Sequence, residues 1–459
     1  METIIIGESG VAAILKAHES HFLDFKSASI APAKLSKALA AFANADGGEI
    51  FIGIEDKKFD GDRWRGFYDP EDANGFLQVF NTRFPVGTAF SYEFIEAENR
   101  CGLIIRCEIF KNATIWTDTK DDVYVRRGAQ SLKIEDREAI RRLEFAKGVT
   151  SYEDERLQAG PEYLEESKIL QEFAETIVPA ADPMAWLRKQ WLVDQEKVTV
   201  AGAVLFGEEP QVLLPKAAIK IYRYKTSEEA SRESLEGQPE TIEGCAYEQI
   251  KNSVARVVEI VESIPVIKDA GFEKISYPDN ALHEIITNAV IHRDYAASDD
   301  VHVVIFNNRI EITSPGRLPG HVTTNNILTE RFARNQKIVR LLNKFPDPPN
   351  KDVGEGLNTA FEAMRGLDLK DPEIIEGDGK VIVVLRHEKL AQPETVIVDY
   401  LRRNAEINNT KAREITYIGS EAKITKIFSK LKKNGIIERT EAKSRVKAAY
   451  RRGPNFPIS

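Results

Sequence analysis

The spacing of hydrophobic residues near the start of the chain predicts both helices and strands. Leu35, Leu39 and Phe42 recur at the spacing of one helical face, and the glycine pair at 47–48 is the expected end of that helix. Strands are predicted over 49–56, 90–94, 103–110 and 123–127. Strand and helix signals alternate along residues 1–145, which are predicted to form an α+β domain.

The rest of the chain divides into three segments of different pattern. Residues 146–196 are charged, helical in spacing and interrupted by prolines, which predicts a helical connector. Residues 197–390 predict a second, α/β domain, and residues 391–459 have the length of a winged helix. We therefore expect an α+β multidomain protein, since 459 residues exceed what one hydrophobic core usually organises.

Charged residues surround the first predicted strands. Asp24 and Lys26 alternate with hydrophobic residues and so share one strand face, and Glu19 precedes that strand. The alternation in 49–56 ends on Asp56. Neighbouring strands could therefore present Glu19, Asp24 and Asp56 around one point, with Lys26 beside them. Three carboxylates can hold Mg²⁺ or Mn²⁺ against a scissile phosphate, although the same spacing also fits strand ends exposed to solvent.

The motifs around these residues resemble the Schlafen AlbA_2 family. Three blocks occur in the family's order: Glu19-Ser20 with Asp24-Phe25-Lys26, then Ala41 to Gly48 with Ile52 to Asp56, then Tyr124 to Gly128. The resemblance implies nucleic-acid binding and, as in some Schlafen members, RNA cleavage by a carboxylate triad at Glu19, Asp24 and Asp56. Asp24 departs from the pattern, because the family usually has the longer Glu there.

Two arginines at the end of the last predicted strand of this domain are candidates for contacts with nucleic acid. Arg126 and Arg127 could hold a backbone phosphate through paired guanidinium hydrogen bonds. A strand end that is simply solvated explains the pair equally well.

A polar stripe marks one predicted helix of the second domain. Glu284, Asn288 and His292 lie four residues apart in the helix predicted over 279–292. A glutamate can activate water, and an asparagine one turn away can complete a magnesium shell beside phosphates. A solvated helix face is the alternative. Asn307-Asn308 further on predicts a type I′ hairpin turn.

The surrounding motifs resemble the ATP-binding fold of the GHKL superfamily, an α/β sandwich. The blocks that carry this resemblance are His283 to Tyr295, Ile312 to Gly316 and Gly354-Glu355-Gly356-Leu357. It implies ATP with Mg²⁺, with Glu284 as general base and Asn288 as magnesium ligand. His292, Gly316, Gly354 and Gly356 are expected around the nucleotide, since a glycine pair before a helix lets backbone N–H groups approach phosphate. The family's adenine-reading Asp is absent, because Ser314-Pro315-Gly316 stands in its place.

Basic residues concentrate at the end of the chain. From Ala391 onward there are 15 Lys and Arg against 7 Asp and Glu, whereas the whole chain carries a net charge of −9. The helix predicted over 421–434 is followed by a basic segment of period two, as in a winged helix on duplex DNA. The candidate contacts are Lys423, Lys426, Lys430, Lys433, Lys443, Arg445 and Lys447.

Composition narrows the class of protein further. The start of the chain lacks the pattern of a signal peptide, and no hydrophobic run is long enough to span a bilayer. Three scattered cysteines predict reduced thiols in a cytoplasmic protein. The sequence thus favours an oligomeric, at least dimeric, DNA-binding regulator controlled by ATP. The alternative is a metal-dependent nuclease of RNA or DNA acting in antiphage defence.

Overall fold

A computed structural model of the chain describes residues 3–87, 89–179, 181–268, 271–274, 277–349, 356–377, 379–387, 393–416, 418, 420–440 and 449–457. The structure forms two compact units, one of Met1–Ala363 with Pro372–Leu385, and one of Met364–Asp371 with Arg386–Ser459. The predicted boundaries after residues 145 and 196 both lie inside the first unit, so they remain predictions. Within the described residues, every helix is too short or too polar to cross a lipid bilayer.

The first part of the chain is a five-stranded sheet with helices packed on it. Its elements are β1 (Thr3–Ile6), α1 (Glu8–Lys16), β2 (Leu23–Lys26), α2 (Pro32–Ala43), β3 (Gly48–Ile52), α3 (Asn74–Arg83), β4 (Phe90–Ala97), β5 (Ile104–Ile109), β6 (Val123–Arg127), β7 (Gln130–Ile134) and α4 (Arg137–Lys147). The sheet order is β1-β4-β5-β3-β2, and β6 and β7 form a separate hairpin. The predicted α+β fold is confirmed here.

Helix α2 supplies the centre of the core in this part. Pro32 stands in its first turn, where a missing backbone N–H does no harm. Leu35, Leu39 and Phe42 are fully buried, as their spacing predicts. Gly47 ends the segment with φ +77°, and a Cβ there would lie 2.3 Å from the carbonyl oxygen of Ile109. This close approach requires glycine, so it explains the abrupt turn into β3.

The connector contains α5 (Glu162–Glu165), α6 (Lys168–Ile177), α7 (Pro183–Lys189) and β8 (Val193–Asp194). The elements that follow it are β9 (Lys197–Val198), α8 (Val200–Phe206), β10 (Ile219–Arg223), β11 (Glu240–Ile242), α9 (Ala246–Glu262), β12 (Pro265–Lys268), β13 (Gly271–Lys274), α10 (Asp279–Ile291), β14 (Val301–Ile305), β15 (Arg309–Pro315), α11 (Gln336–Leu342), α12 (Gly356–Gly366), β16 (Glu373–Gly377) and β17 (Lys380–Arg386). Six of these strands form a sheet of order β11-β10-β14-β15-β17-β16. Helix α10 packs against α9 and β15.

The predicted hairpin joins β14 and β15, but its turn is not of type I′. That turn needs positive φ at both central residues, and neither Asn307 nor Asn308 has it. Contacts from outside the hairpin hold the turn instead. The Asn307 backbone N–H donates to the carbonyl of Thr226 over 2.9 Å, and the Asn307 side-chain oxygen accepts from Arg223 over 2.5 Å.

The second unit contains α13 (Pro393–Arg403), β18 (Ile407–Asn408), α14 (Asn409–Thr416), α15 (Glu421–Lys433), β19 (Ile437–Arg439) and β20 (Ala449–Arg452). Its three strands form a sheet in the order β18-β20-β19. Ile424, Phe428 and Leu431 of α15 are buried in its core.

Candidate functional site

Helix α10 carries Glu284, Asn288 and His292 on one face, because they are spaced four residues apart. The helix ends at Ile291, and His292 is its C-terminal capping residue. The Asn288 side-chain amide donates to Glu284 Oε1 over 2.7 Å. This bond leaves the amide oxygen of Asn288 available to another partner.

The polar face of α10 forms one wall of a cavity of about 280 Å³. Glu284, Asn288, His292 and Gly316 all line it, so four of the predicted nucleotide-binding residues come together. Gly356 begins α12, whose Leu357 and Asn358 also line the cavity. Gly354 lies outside the described residues. The volume is close to the lower end of the range for small-molecule sites, roughly 300 Å³.

The ionisable groups of this cavity are strongly affected by burial. Burial raises the pKa of Glu284 above its ordinary value, and the hydrogen bond from Asn288 opposes this only in part. Burial and the neighbouring Arg334 guanidinium lower the pKa of His292 to about 4, so the imidazole is neutral near pH 7. His292 Nδ1 is buried and has no hydrogen-bond partner among the described residues. The cavity therefore contains a poised carboxyl group and an unsatisfied imidazole.

The Ser314-Pro315-Gly316 turn closes one side of the cavity. Ser314 Oγ donates to the carbonyl of Ala289 over 2.8 Å, which fixes the turn against α10. Gly316 adopts φ +101°, and a Cβ there would lie 2.7 Å from Cβ of Asp294. The glycine is thus required by the close packing of the turn against the segment that follows α10.

Sequence reasoning missed two basic residues of the cavity wall, Arg317 and Arg331. In the sequence, the one sign that Arg317 belongs to the cavity is its position directly after Gly316. Arg331 stands in an irregular segment where no periodicity marks it. Both bring positive charge to a cavity whose lining is otherwise mainly apolar.

A second cavity, of about 230 Å³, brings together Glu19, Asp24 and Lys26. Asp24 is buried, and both of its oxygens are occupied. Lys26 Nζ donates to Asp24 Oδ1 over 2.7 Å, and Arg126 Nη1 donates to Asp24 Oδ2 over 3.1 Å. The backbone N–H of Phe25 donates to Glu19 Oε1 over 3.3 Å. Burial and the adjacent Asp24 raise the pKa of Glu19 above its ordinary value.

Asp56 does not join these carboxylates, contrary to the expectation from alternation. Strand β3 ends at Ile52, because Gly53 turns the chain with φ +111°. Asp56 lies exposed in the following turn, where Asp56 Oδ1 accepts the backbone N–H of Lys58 over 2.9 Å. In the described part of the chain, no group of three or more His, Cys, Asp or Glu side chains is arranged to hold a metal. The residues therefore do not fit the expected three-carboxylate metal centre.

Arg126, a predicted phosphate contact, is buried, whereas its neighbour Arg127 is exposed. The Arg126 side chain is only 2% exposed. It donates to the carbonyls of Ser20 and Leu23 as well as to Asp24. Its guanidinium also stacks on Phe42, 4.6 Å from the ring centre. Arg126 is thus committed to holding the site together, and the other basic residues that line this cavity are Lys26, Lys34 and Lys37.

The lysines of α15 lie where their periodicity predicts. Lys423, Lys426, Lys430 and Lys433 are all exposed. Lys430 Nζ forms an ion pair with Glu394 over 2.8 Å, so its charge is partly compensated. Lys443, Arg445 and Lys447 lie outside the described residues.

Two segments of the chain match known protein families. Residues 19–135 match the family described as Schlafen, AlbA_2. Residues 298–385 match the one described as putative ATP-dependent DNA helicase recG C-terminal. Both resemblances are confirmed. The second match begins after α10, so Glu284, Asn288 and His292 lie outside it. Neither match includes residues 391–459, so the winged helix remains a prediction.

Whole-chain comparisons add little to these matches. The DIP2311 protein from Corynebacterium diphtheriae has a solved structure that is similar with a TM-score of 0.41 and 18% identity. The alignment covers 97% of this chain and 83% of that one. No protein with a curated description matches the chain. The AlbA_2 and ATPase-like domains together indicate a nucleic-acid-related ATPase or nuclease.

Proposed function

We propose that the protein is a nucleic-acid-binding regulator whose state is controlled by ATP and Mg²⁺ in the cavity beside α10. The observation that carries this proposal is the meeting of Glu284, Asn288, His292 and Gly316 around one cavity. These residues come from a helix and a distant turn, so ordinary helix periodicity does not explain their convergence.

The residues of this cavity suit a nucleotide with its metal. Bound Mg²⁺ would offset the charge of the phosphates, with Asn288 as its protein ligand. The free amide oxygen of Asn288 supports that role, since its nitrogen is held by Glu284. Glu284, with its raised pKa, is suited to accept a proton from water. Arg317 and Arg331 bring the positive charge that an anionic ligand needs.

Two basic surfaces support nucleic-acid binding. Lys26, Lys34 and Lys37 surround the second cavity, and Lys423, Lys426 and Lys433 form the exposed face of α15. Phosphate contacts of this kind give affinity without reading sequence. Duplex DNA is the proposed target of the second unit, and DNA or RNA that of the AlbA_2 domain.

Assembly and compartment are part of the same proposal. The AlbA_2 cavity is small, and two copies facing each other would offer a polyanion a longer basic surface. A two-fold homodimer is the simplest closed arrangement. Light scattering that finds a monomer at every concentration, with nucleotide and nucleic acid present, would exclude it.

The proposed compartment is the cytoplasm, because Cys101, Cys107 and Cys245 are all free thiols.

A metal-dependent nuclease in antiphage defence is the second candidate, supported by the shared cavity of Glu19, Asp24 and Lys26. A metal would have to displace Lys26 and Arg126 from Asp24, which counts against it. The assay is cleavage of RNA and DNA with Mg²⁺ or Mn²⁺, comparing the wild type with Asp24→Asn. Metal-dependent cleavage lost in the variant would favour the nuclease over the regulator.

The regulator is tested by calorimetry of ATP binding to the full chain. With Mg²⁺, Asn288→Ala is expected to weaken binding at least tenfold, whereas Glu284→Ala is expected to spare binding and remove any hydrolysis. Titration without Mg²⁺ is the control, because there Asn288→Ala should have little effect. Absence of ATP binding by the wild type would refute the proposal.

A further inference from the structure

The turn that closes the nucleotide cavity also contacts the AlbA_2 domain. Arg317 lines the cavity, and its Nη2 lies 2.7 Å from Oδ1 of Asp46, in the turn after α2. Arg317 Nε lies 3.2 Å from Glu376 Oε1 in β16. One guanidinium is therefore shared between the cavity wall and two carboxylates, one of which belongs to the other domain.

Lys111 joins the same group from the AlbA_2 side. Its Nζ donates to the carbonyl of Leu318 over 2.9 Å and to Glu376 Oε1 over 3.2 Å. It also lies 4.0 Å from Asp46 Oδ1. Leu318 lines the cavity directly after Arg317. The cavity turn is thus held to the AlbA_2 domain through a side chain and through its backbone.

In this cluster, the charges of Asp46 and Lys111 are largely withdrawn from water, whereas that of Arg317 is partly exposed. The side chains of Asp46 and Lys111 are each 9% exposed, and that of Arg317 is 40% exposed. Burial would raise the pKa of Asp46, but Arg317 and His21 outweigh it and hold the pKa below its ordinary value. Asp46 is therefore ionised, and its pairing with Arg317 is poorly screened by salt.

Asp46 connects this cluster to the N-terminal cavity. Its Oδ2 lies 2.6 Å from His21 Nε2. His21 stands in the short segment between Glu19, which lines that cavity, and β2. The carbonyl of the adjacent Ser20 accepts a hydrogen bond from the Arg126 guanidinium. The same guanidinium donates to Asp24. The two cavities are therefore linked by the side-chain contacts of Arg317, Asp46 and His21 and, beyond His21, by the backbone of residues 19–21.

We propose that Arg317 is the residue through which the two cavities are coupled: it binds the anionic end of the ligand in the α10 cavity, and does so by leaving Asp46. Two oxygens of a phosphate group offer the guanidinium the same paired hydrogen bonds as a carboxylate can. Ligand and Asp46 then compete for Arg317, and the loss of Arg317 leaves His21 and Lys111 as the partners of Asp46, which changes the contact that His21 makes beside Glu19. This inference rests on the proposed binding of a nucleotide, and it adds that nucleotide and nucleic acid change each other's affinity through Arg317.

The test measures two affinities of the full chain: that for Mg²⁺-ATP by calorimetry, and that for a fluorescent duplex DNA or single-stranded RNA with and without saturating Mg²⁺-ATP. In the wild type, ATP should change the nucleic-acid affinity by about fivefold or more, and nucleic acid should change the ATP affinity by the same factor. In Asp46→Asn, ATP should bind several-fold tighter, because Arg317 is then held by one carboxylate, Glu376, instead of two. The change in nucleic-acid affinity on adding ATP should disappear.

Two further variants complete the experiment. Arg317→Met should weaken ATP binding and also remove the coupling, and it takes the place of Asp46→Asn if that protein does not fold. Asp121→Asn is the matched control, because it removes another aspartate–arginine pair of the AlbA_2 domain, with Arg83, away from the cavity lining. Both affinities and their coupling should be unchanged in it.

The outcomes separate this inference from the proposed function. A wild type that binds ATP and nucleic acid independently would overturn the coupling and leave nucleotide binding intact. Coupling that persists in both Asp46→Asn and Arg317→Met would also overturn it. A wild type that binds no ATP would refute the proposed function and this inference together.

Discussion

Arg126 and Asp24 form a buried ion pair in which Nη1 of the arginine lies 3.1 Å from Oδ2 of the aspartate, and each side chain is at most 3% exposed. The pair joins β6 to β2, which are separated by about a hundred residues of chain. Lys26 neutralises the other oxygen of Asp24. Arg126 and Arg127, which the sequence suggests as two phosphate contacts, therefore differ. Arg126 is buried in an ion pair, whereas Arg127 is exposed to solvent.

This division makes Arg126 and Arg127 a matched pair of variants. Arg126→Met is expected to lower the free energy of unfolding by about 3–5 kcal/mol, because it removes one partner of a buried ion pair. Arg127→Met changes an exposed side chain and should alter it by less than about 0.5 kcal/mol. Urea unfolding followed by circular dichroism measures both. Equal, small effects would contradict the buried role of Arg126.

A second prediction concerns the pH dependence of stability through Lys147. Its side chain is buried and donates to the carbonyl of Ala43 over 2.7 Å. Burial and the nearby Lys111 lower the pKa of Lys147 to about 7, from an ordinary value of 10.5. Between these values the unfolded chain binds a proton that the folded chain has released, so stability rises with pH, by at most roughly 1.4 kcal/mol per pH unit.

The measurement is the thermal unfolding of the wild type and of Lys147→Met from pH 7 to pH 9. The wild type should gain stability relative to the variant over this interval. Glu153 is another buried group with a pKa near 7, raised from 4.5 by burial, and its contribution to stability changes mainly below this pH interval. Arg142→Met, at an exposed position of the same helix, is the control and should follow the wild type. Parallel pH curves for wild type and Lys147→Met would contradict the buried, deprotonated lysine.

A third prediction distinguishes the lysines of α15. Replacing Lys423 and Lys426 with Ala should reduce the slope of log affinity for duplex DNA against log salt by about 1.8, if each contacts one phosphate. Lys430→Ala should change the slope less, because Lys430 is already paired with Glu394. Fluorescence anisotropy of the full chain across a salt series measures the slope. An unchanged slope in the double variant would mean that this face is simply solvated.

A fourth prediction tests the turn at Gly316. Gly316→Ala should destabilise the protein by about 1–3 kcal/mol, because a side chain is strained at φ +101° and meets Asp294. It should also weaken ATP binding, since the turn lines the cavity. Gly377→Ala, where an added Cβ meets nothing within 4 Å, is the control for replacing glycine. Similar behaviour of the two variants would argue against a constrained turn.

Several features of the protein follow from the sequence by itself. Helical periodicity correctly predicts the buried face of α2, the shared face of Glu284 and Asn288, and the exposed lysines of α15. The motifs correctly predict the two family resemblances. These features depend on contacts one or two turns apart, or on short runs of residues, so local spacing contains the information.

Tertiary structure alone decides which of these residues meet. Asp56 leaves the predicted carboxylate group because Gly53 ends β3 early, and Arg126 turns inward because Asp24 lies within its reach. The contact of Arg317 with Asp46 joins residues some 270 positions apart, and nothing in either local sequence marks the other. The physical reason is that burial and ion pairing are set by packing between distant segments, whereas periodicity reports only which face of its own element a residue occupies.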